Sequence, residues 1–265
     1  MSRRALAPLL AAAAMVCVGC GKSNPVAPSV SGGGAVASST PGAPGSASPP
    51  SSGAPRGGAG AARAFVAAVN LRAADVLPLR ASGHSRGPST PAERQAERAL
   101  SDCFVPGGGR AGESKPLAEG SSPTFEAHAT GVAVSVSSYV SVASSARGGA
   151  AGLRALRSPR SRQCLSRYLN ALFAAGHRRG FSIGKLTIQA GTPPAPGTTG
   201  GFGWRVIATV AADGAKVPFY ADILGFLDGP AEVTLVSTGF PVPFPAQEEE
   251  RLFTVLLSRA LNSPR

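Results

Sequence analysis

The chain is poor in the residues that most enzymes use for chemistry. Three histidines, 14 acidic residues and one tryptophan are spread over 265 positions, and lysine is scarce beside arginine, 4 against 22. His84, His128 and His177 form no i, i+4 pair and have no carboxylate cluster nearby, so neither a metal set nor a cofactor is expected. Ser182-Ile-Gly-Lys185 fits the S-x-x-K pattern, but its partner elements Ser-Asp-Asn and Lys-Thr-Gly are missing and the segment reads as a strand. Gly180 to Lys185 has the wrong spacing for a phosphate loop. No apolar run is long enough to cross a bilayer as a helix; the longest goes from Ala5 to Val18.

That short run follows Ser2-Arg3-Arg4 and ends at Gly19-Cys20. A charged start, a short apolar stretch and small residues at its end make up a cleavable export signal. Cys17-Val18-Gly19-Cys20 resembles the lipobox of bacterial lipoproteins. The resemblance implies a signal peptide over residues 1–19, diacylglycerol on the Cys20 thiol, and a lipid anchor at the outer face of the cell membrane. Ser2 to Leu6 also looks like the opening of a twin-arginine signal. A redox or metal role for Cys17 and Cys20 would need a strand-to-helix turn or a second cysteine pair, and the sequence has neither.

The formal net charge of +12 would suggest nucleic acid in a cytosolic chain. An exported protein meets no genome, and removal of Arg3 and Arg4 leaves +10. The partners that fit a basic exported surface are anionic lipid, acidic wall polymer or an envelope protein. Residues 20–60 are almost entirely Gly, Ala, Ser, Pro, Val and Thr. They cannot bury enough apolar area to offset their ordering entropy, so a flexible tether with a reach of about 35 Å is expected.

Residues 61–265 are long enough for one α+β domain. The pattern predicts helices over 61–77 and 90–103, the second opened by Thr90-Pro91-Ala92-Glu93 as cap, first helical proline and capping-box acid. Alternation predicts strands over 125–130 and 132–140. Two helices follow over 144–156 and 159–175, the latter with Leu165, Tyr168, Leu169, Leu172 and Phe173 on one side. Asp213-Gly214 and Asp228-Gly229, read as type I′ turns, separate strands over 202–212, 215–227 and 231–239 into a meander preceded by a strand over 181–190. Pro218 within the second of these implies an edge or a bulge. A last helix over 246–261 buries Leu252, Phe253, Leu256 and Leu257 and carries Glu248, Glu249 and Glu250 at its dipole-favoured start. The expected architecture is an antiparallel sheet of four to five strands packed against about five helices.

Four features single out residues. Cys103 and Cys164, the two cysteines of the mature chain, are expected to form a disulfide in an oxidising compartment. Arg154, Arg157, Arg160, Arg162 and Arg167 cluster around a helix start and form a candidate anion site. Trp204 closes a Pro- and Gly-rich segment from Gly191 that can form a stiff lip beside a ligand. A two-residue first turn places Arg205 opposite Asp222 as a cross-strand ion pair.

The order of lipobox, low-complexity tether, helices, the strand Val132 to Val140, the Cys-bearing helix Arg162-Gln163-Cys164-Leu165, meander and final helix resembles actinobacterial lipoproteins with a sensor-type or Mog1/PsbP-like α/β domain. The resemblance implies a non-catalytic envelope domain that binds a ligand or partner. An envelope hydrolase whose residues meet only in the fold, and a passive structural lipoprotein, are the alternatives.

Overall fold

The computed structural model describes residues 58–82, 91–104, 116–144, 146–176, 181–212 and 215–264. Cys20, the expected leader and the expected tether as far as residue 57 lie outside them, as do His84, His177 and the Asp213-Gly214 turn, while Gly58 to Gly60, expected as tether, already belong to the first helix.

Five α-helices are present among the described residues: α1 (Gly58–Val69), α2 (Pro91–Phe104), α3 (Arg147–Arg157), α4 (Pro159–Gly176) and α5 (Ala246–Asn262). The strands are β1 (Arg80–Ala81), β2 (Ala118–Ser121), β3 (Phe125–Ala129), β4 (Val132–Val142), β5 (Phe181–Gly191), β6 (Gly200–Ala212), β7 (Ala215–Asp228) and β8 (Ala231–Phe240). They form one antiparallel sheet of eight strands in the order β1-β3-β4-β8-β7-β6-β5, with β2 also on β4.

The expected strand number of four to five is therefore too small. The meander β5 to β8 is as expected, but β8 then pairs with β4 from Ala133↔Phe240 to Val142↔Ala231, which fuses two strand groups far apart in sequence. β8 is buried on both faces over almost its whole length, as suits the strand at that junction. The second turn also differs from expectation. Asp228 pairs with Ala231 and ends the strand, so Gly229 and Pro230 form the loop. Gly229 has φ 56°, and proline cannot take positive φ; this combination is that of type II′ rather than type I′. Pro218 is paired with Thr209 of β6, while β8 begins to pair only at Tyr220. Locally β7 is thus an edge at Pro218, and the missing N–H is tolerated there.

The first helix ends at Val69, short of the expected Leu77. Asn70 stops it: its side-chain amide donates to the carbonyls of Val66 at 3.1 Å and Gly120 at 3.2 Å. Ser138 Oγ donates to Asn70 Oδ1 at 2.8 Å and accepts the Leu71 N–H at 2.9 Å. These bonds supply the partners that a buried chain turn needs.

Helices cover both faces. On one, Leu153, Leu165, Tyr168, Leu169 and Phe173 pack on Phe202, Trp204, Val206 and Ile223. On the other, Phe65, Val69, Leu252, Phe253 and Leu256 pack on Val140, Phe226, Val233 and Leu235. Each such side chain stabilises the fold by about 1.5–3 kcal/mol relative to exposure. The Cys103–Cys164 disulfide joins α2 to α4, with Cα atoms 5.5 Å apart and a sequence separation of 61. No helix among the described residues is long and apolar enough to cross a membrane.

Candidate functional site

Two of the features separated in the sequence meet in the fold. A shallow pocket of about 100 Å³ is lined by Leu156 and Arg157 of α3, by Ala190, Gly191 and Thr192 at the end of β5, and by Phe202, Gly203 and Trp204 of β6. Trp204 is 2% exposed, and its ring lies against Phe202 with centroids 5.3 Å apart. It forms the apolar floor. Arg157 supplies the charged wall: its Nε donates to the Gly201 carbonyl at 2.8 Å. Glycine at position 200 makes this approach possible, because a Cβ there would stand 2.9 Å from the Arg157 guanidinium and Gly200 has φ 146°. Arg157 is exposed, and no other hydrogen bond engages its guanidinium among the described residues. Its terminal N–H groups are free to take an anion.

The remaining arginines of the cluster do not line the pocket. Arg160 donates from Nε to the Cys103 carbonyl at 3.0 Å. There it serves the C-terminal end of α2, where unsatisfied carbonyls and the helix dipole both favour a cation. Arg154, Arg162 and Arg167 are exposed. The expected five-arginine anion site is therefore reduced to one arginine. The turn at Ser158, which closes α3, sets Arg160, Arg162 and Arg167 on α4, apart from Arg154 and Arg157 on α3.

Arg205 and Asp222 face each other as expected. The pair is bidentate, with Arg205 Nε to Asp222 Oδ1 at 2.7 Å and Arg205 Nη2 to Oδ2 at 2.9 Å. Asp222 is 4% exposed, and the Arg205 side chain 45%. The carboxylate beside it holds the guanidinium above its ordinary value. The sequence did not reveal what stands next to this pair. Ser237 of β8 pairs with Asp222 across the ladder and hydrogen-bonds Glu249 of α5. Burial pushes the Glu249 carboxyl up to about 7; the Ser237 hydrogen bond opposes this, the Asp222 charge adds to it and Arg205 opposes it. Glu249 looks like one of three surface acids in Glu248-Glu249-Glu250. The available signal was spacing: Glu249 stands three and four residues before Leu252 and Phe253, on their side of the helix.

Ser182 is half-buried in β5 and Lys185 is exposed within a register shift of the same strand, so they form no serine-lysine pair at a helix start. His128 lies 3.2 Å from Glu126 at an exposed position. Among the described residues no group of three or more His, Cys, Asp and Glu is placed to hold a metal ion. No protein-family model and no curated protein matches the chain, so its residues carry the functional reading alone.

Proposed function

We propose that the chain is an exported lipoprotein, anchored through Cys20, whose α+β domain binds a small anionic group of an envelope molecule in the Arg157–Trp204 pocket. The sequence supports the anchor through its lipobox-like Cys17 to Cys20. The carrying observation for binding is the Arg157 guanidinium, whose terminal N–H groups have no hydrogen-bond partner among the described residues, beside an aromatic floor. The pocket volume suits a phosphate or carboxylate headgroup and not a whole polymer. A phospholipid headgroup and a glycerol-phosphate wall polymer share this chemistry.

The hydrolase alternative has one observation in its favour, the perturbed Glu249 beside Ser237 and Asp222. These groups are 7%, 1% and 4% exposed. Their geometry suits a clasp between α5 and the sheet better than attack on a substrate.

The test is calorimetric titration of the full-length protein in neutral detergent with glycerol 3-phosphate and with phosphatidylglycerol. Arg157→Ala is expected to weaken binding of either by about tenfold or more, the worth of a charge-assisted hydrogen bond, while Arg63→Ala on α1 leaves it unchanged. Equal affinity of the wild type and Arg157→Ala would overturn the binding site. The anchor is tested separately: fatty-acid labelling in a bacterial host is expected for the wild type and lost in Cys20→Ala.

A further inference from the structure

Charge is divided unevenly between the two helix layers. From Ala127 to Ala212 the chain carries ten Lys and Arg and no Asp or Glu, and this stretch supplies α3, α4, β5 and β6. Arg154, Arg157, Arg160, Arg162 and Arg167 are all exposed on α3 and α4, whose inner sides pack on the sheet through Leu153, Leu165 and Leu169. The opposite layer, α1 and α5, is compensated: Arg251 pairs with Glu248, and Arg259 with Asp75. Composition does not account for the difference, because both layers belong to one arginine-rich chain.

The five arginines converge on no single pocket. Arg157 reaches the Gly201 carbonyl and Arg160 the Cys103 carbonyl, each through Nε. Arg154, Arg162 and Arg167 make no hydrogen bond or ion pair among the described residues. Arg154 and Arg157, three apart, share one side of α3, and Arg160 and Arg167, seven apart, share one side of α4. The area of one sign ends at α2, which is joined to α4 by the disulfide and carries both signs in Glu93, Arg94, Glu97, Arg98 and Asp102. A surface that only keeps a protein in solution mixes its charges, as α5 does; an area of one sign sets up a field for a partner of the other.

We propose that the α3–α4 side of the domain docks on an anionic phospholipid bilayer, with Arg154, Arg160 and Arg167 meeting lipid phosphates around the headgroup held at Arg157. The proposal deepens the anion-binding reading above, on which its Arg157 contact rests, and narrows the source of the anion to the membrane. The guanidinium presents its N–H donors in a planar fork that matches phosphate, and each arginine near an anionic leaflet strengthens binding by about fivefold. The side chains stand on the outside of two helices and not along a groove, which suits a broad anionic surface more than a single polymer chain. The stretch from Cys20 to Gly58 reaches ~130 Å when extended. An anchor at Cys20 therefore leaves this side free to turn to the bilayer, although α1 belongs to the opposite layer.

The test is arginine footprinting of the full-length protein. It is mixed with vesicles of phosphatidylcholine, alone or with phosphatidylglycerol, treated with phenylglyoxal at about 0.1 M salt, and read residue by residue by mass spectrometry. Reaction at Arg154, Arg160 and Arg167 is expected to slow by about threefold or more with the anionic vesicles only, and to recover at about 1 M salt, where the Debye length falls to about 3 Å. Arg63, exposed on α1, is expected to react equally throughout. Joint replacement Arg154→Glu and Arg167→Glu is expected to abolish the slowing at Arg160 with cooperative unfolding retained, and Arg63→Glu to keep it. Arg157→Ala is expected to keep most of it as well, so failure of the pocket and failure of docking are told apart. Equal reaction with neutral and anionic vesicles, or equal slowing at Arg63, would overturn the proposal. So would the same slowing by soluble poly(glycerol phosphate) at equal phosphate concentration without vesicles, which would assign the area to a wall polymer.

Discussion

Glu249 and Glu232 are both buried, and burial raises both carboxyls to about 7, yet the two are held differently. Glu249 has Ser237 as a hydrogen-bond partner and Arg205 within electrostatic reach, and Arg205 is itself locked on Asp222. Among the described residues Glu232 has no such arginine, and the neighbouring Thr234 hydroxyl has no hydrogen-bond partner. The same displaced titration thus marks an ion-paired clasp between α5 and the sheet in one place and a buried acid outside any such clasp in the other. A raised carboxyl alone does not identify a site; the partners around it do.

The largest effect is expected from breaking the clasp at its arginine. Arg205→Ala leaves the Asp222 carboxylate buried beside Glu249 with no positive charge, and removal of one member of such a pair costs about 3 kcal/mol or more. Asp222→Asn is expected to cost less, because the half-exposed Arg205 can return to water. Denaturant unfolding of both variants at pH 5 and pH 8 checks this. The Arg205→Ala loss should be greater at pH 8, where Glu249 must also ionise, and an equal loss at the two pH values would show that Glu249 and Asp222 do not share the arginine.

The second effect is the pH profile of the whole chain. Because the folded state holds the Glu249 and Glu232 protons more tightly than an ordinary carboxyl at 4.5 does, the unfolded chain ionises first. Stability from both groups is full below about pH 4.5 and is lost as pH rises through about 7. Two acids act in the opposite direction. Burial raises Asp75, but the Arg259 hydrogen bond and the Arg72 N–H outweigh it and bring the carboxyl below its ordinary value; Arg251 does the same for Glu248 against a smaller burial effect. Their contribution is lost as pH falls below about 4. Maximum stability is therefore expected near pH 4.5 to 5, with a fall on the order of a few kcal/mol toward pH 8. Thermal unfolding across pH 4 to 8 measures it. Glu249→Gln and Glu232→Gln should each flatten part of the fall, and a profile unchanged in both would remove them as its cause.

Local patterns made much of this fold readable. Ser158-Pro159 separates α3 from α4, the stripe from Leu165 to Phe173 is buried, and the register that sets Arg205 opposite Asp222 follows from a short turn. What stayed hidden depended on contacts between segments far apart in sequence. Ala118-Glu119-Gly120-Ser121 has no strand alternation, yet it pairs with β4, and β8 reveals nothing of its pairing with β4 in its own residues. The meeting of Arg157 with Trp204, and of Glu232 with Ser141, follows from those pairings and from where α3 lands. The arginine cluster misled because spacing in the sequence does not show which carbonyl each side chain reaches: Arg157 reaches Gly201 beside the pocket, and Arg160 reaches Cys103 at the end of α2.

The smallest effect distinguishes the two regions most cleanly, because the substitutions are nearly isosteric and opposite in sign. Ser237→Ala removes the hydroxyl bound to Glu249, leaves a buried acid with one partner fewer, and is expected to lower stability by about 1 kcal/mol or somewhat more. Thr234→Val removes a hydroxyl that has no partner and keeps the shape of the side chain. Replacing an unsatisfied buried polar group by an apolar one of equal size relieves its desolvation cost, so the variant is expected to match or exceed the wild type by up to about 1 kcal/mol. In a chain of this size that is a rise of about 2–4 °C in Tm. If Thr234→Val instead loses stability, its hydroxyl is already satisfied in the folded protein, and the contrast with the Ser237–Glu249 clasp fails at that residue.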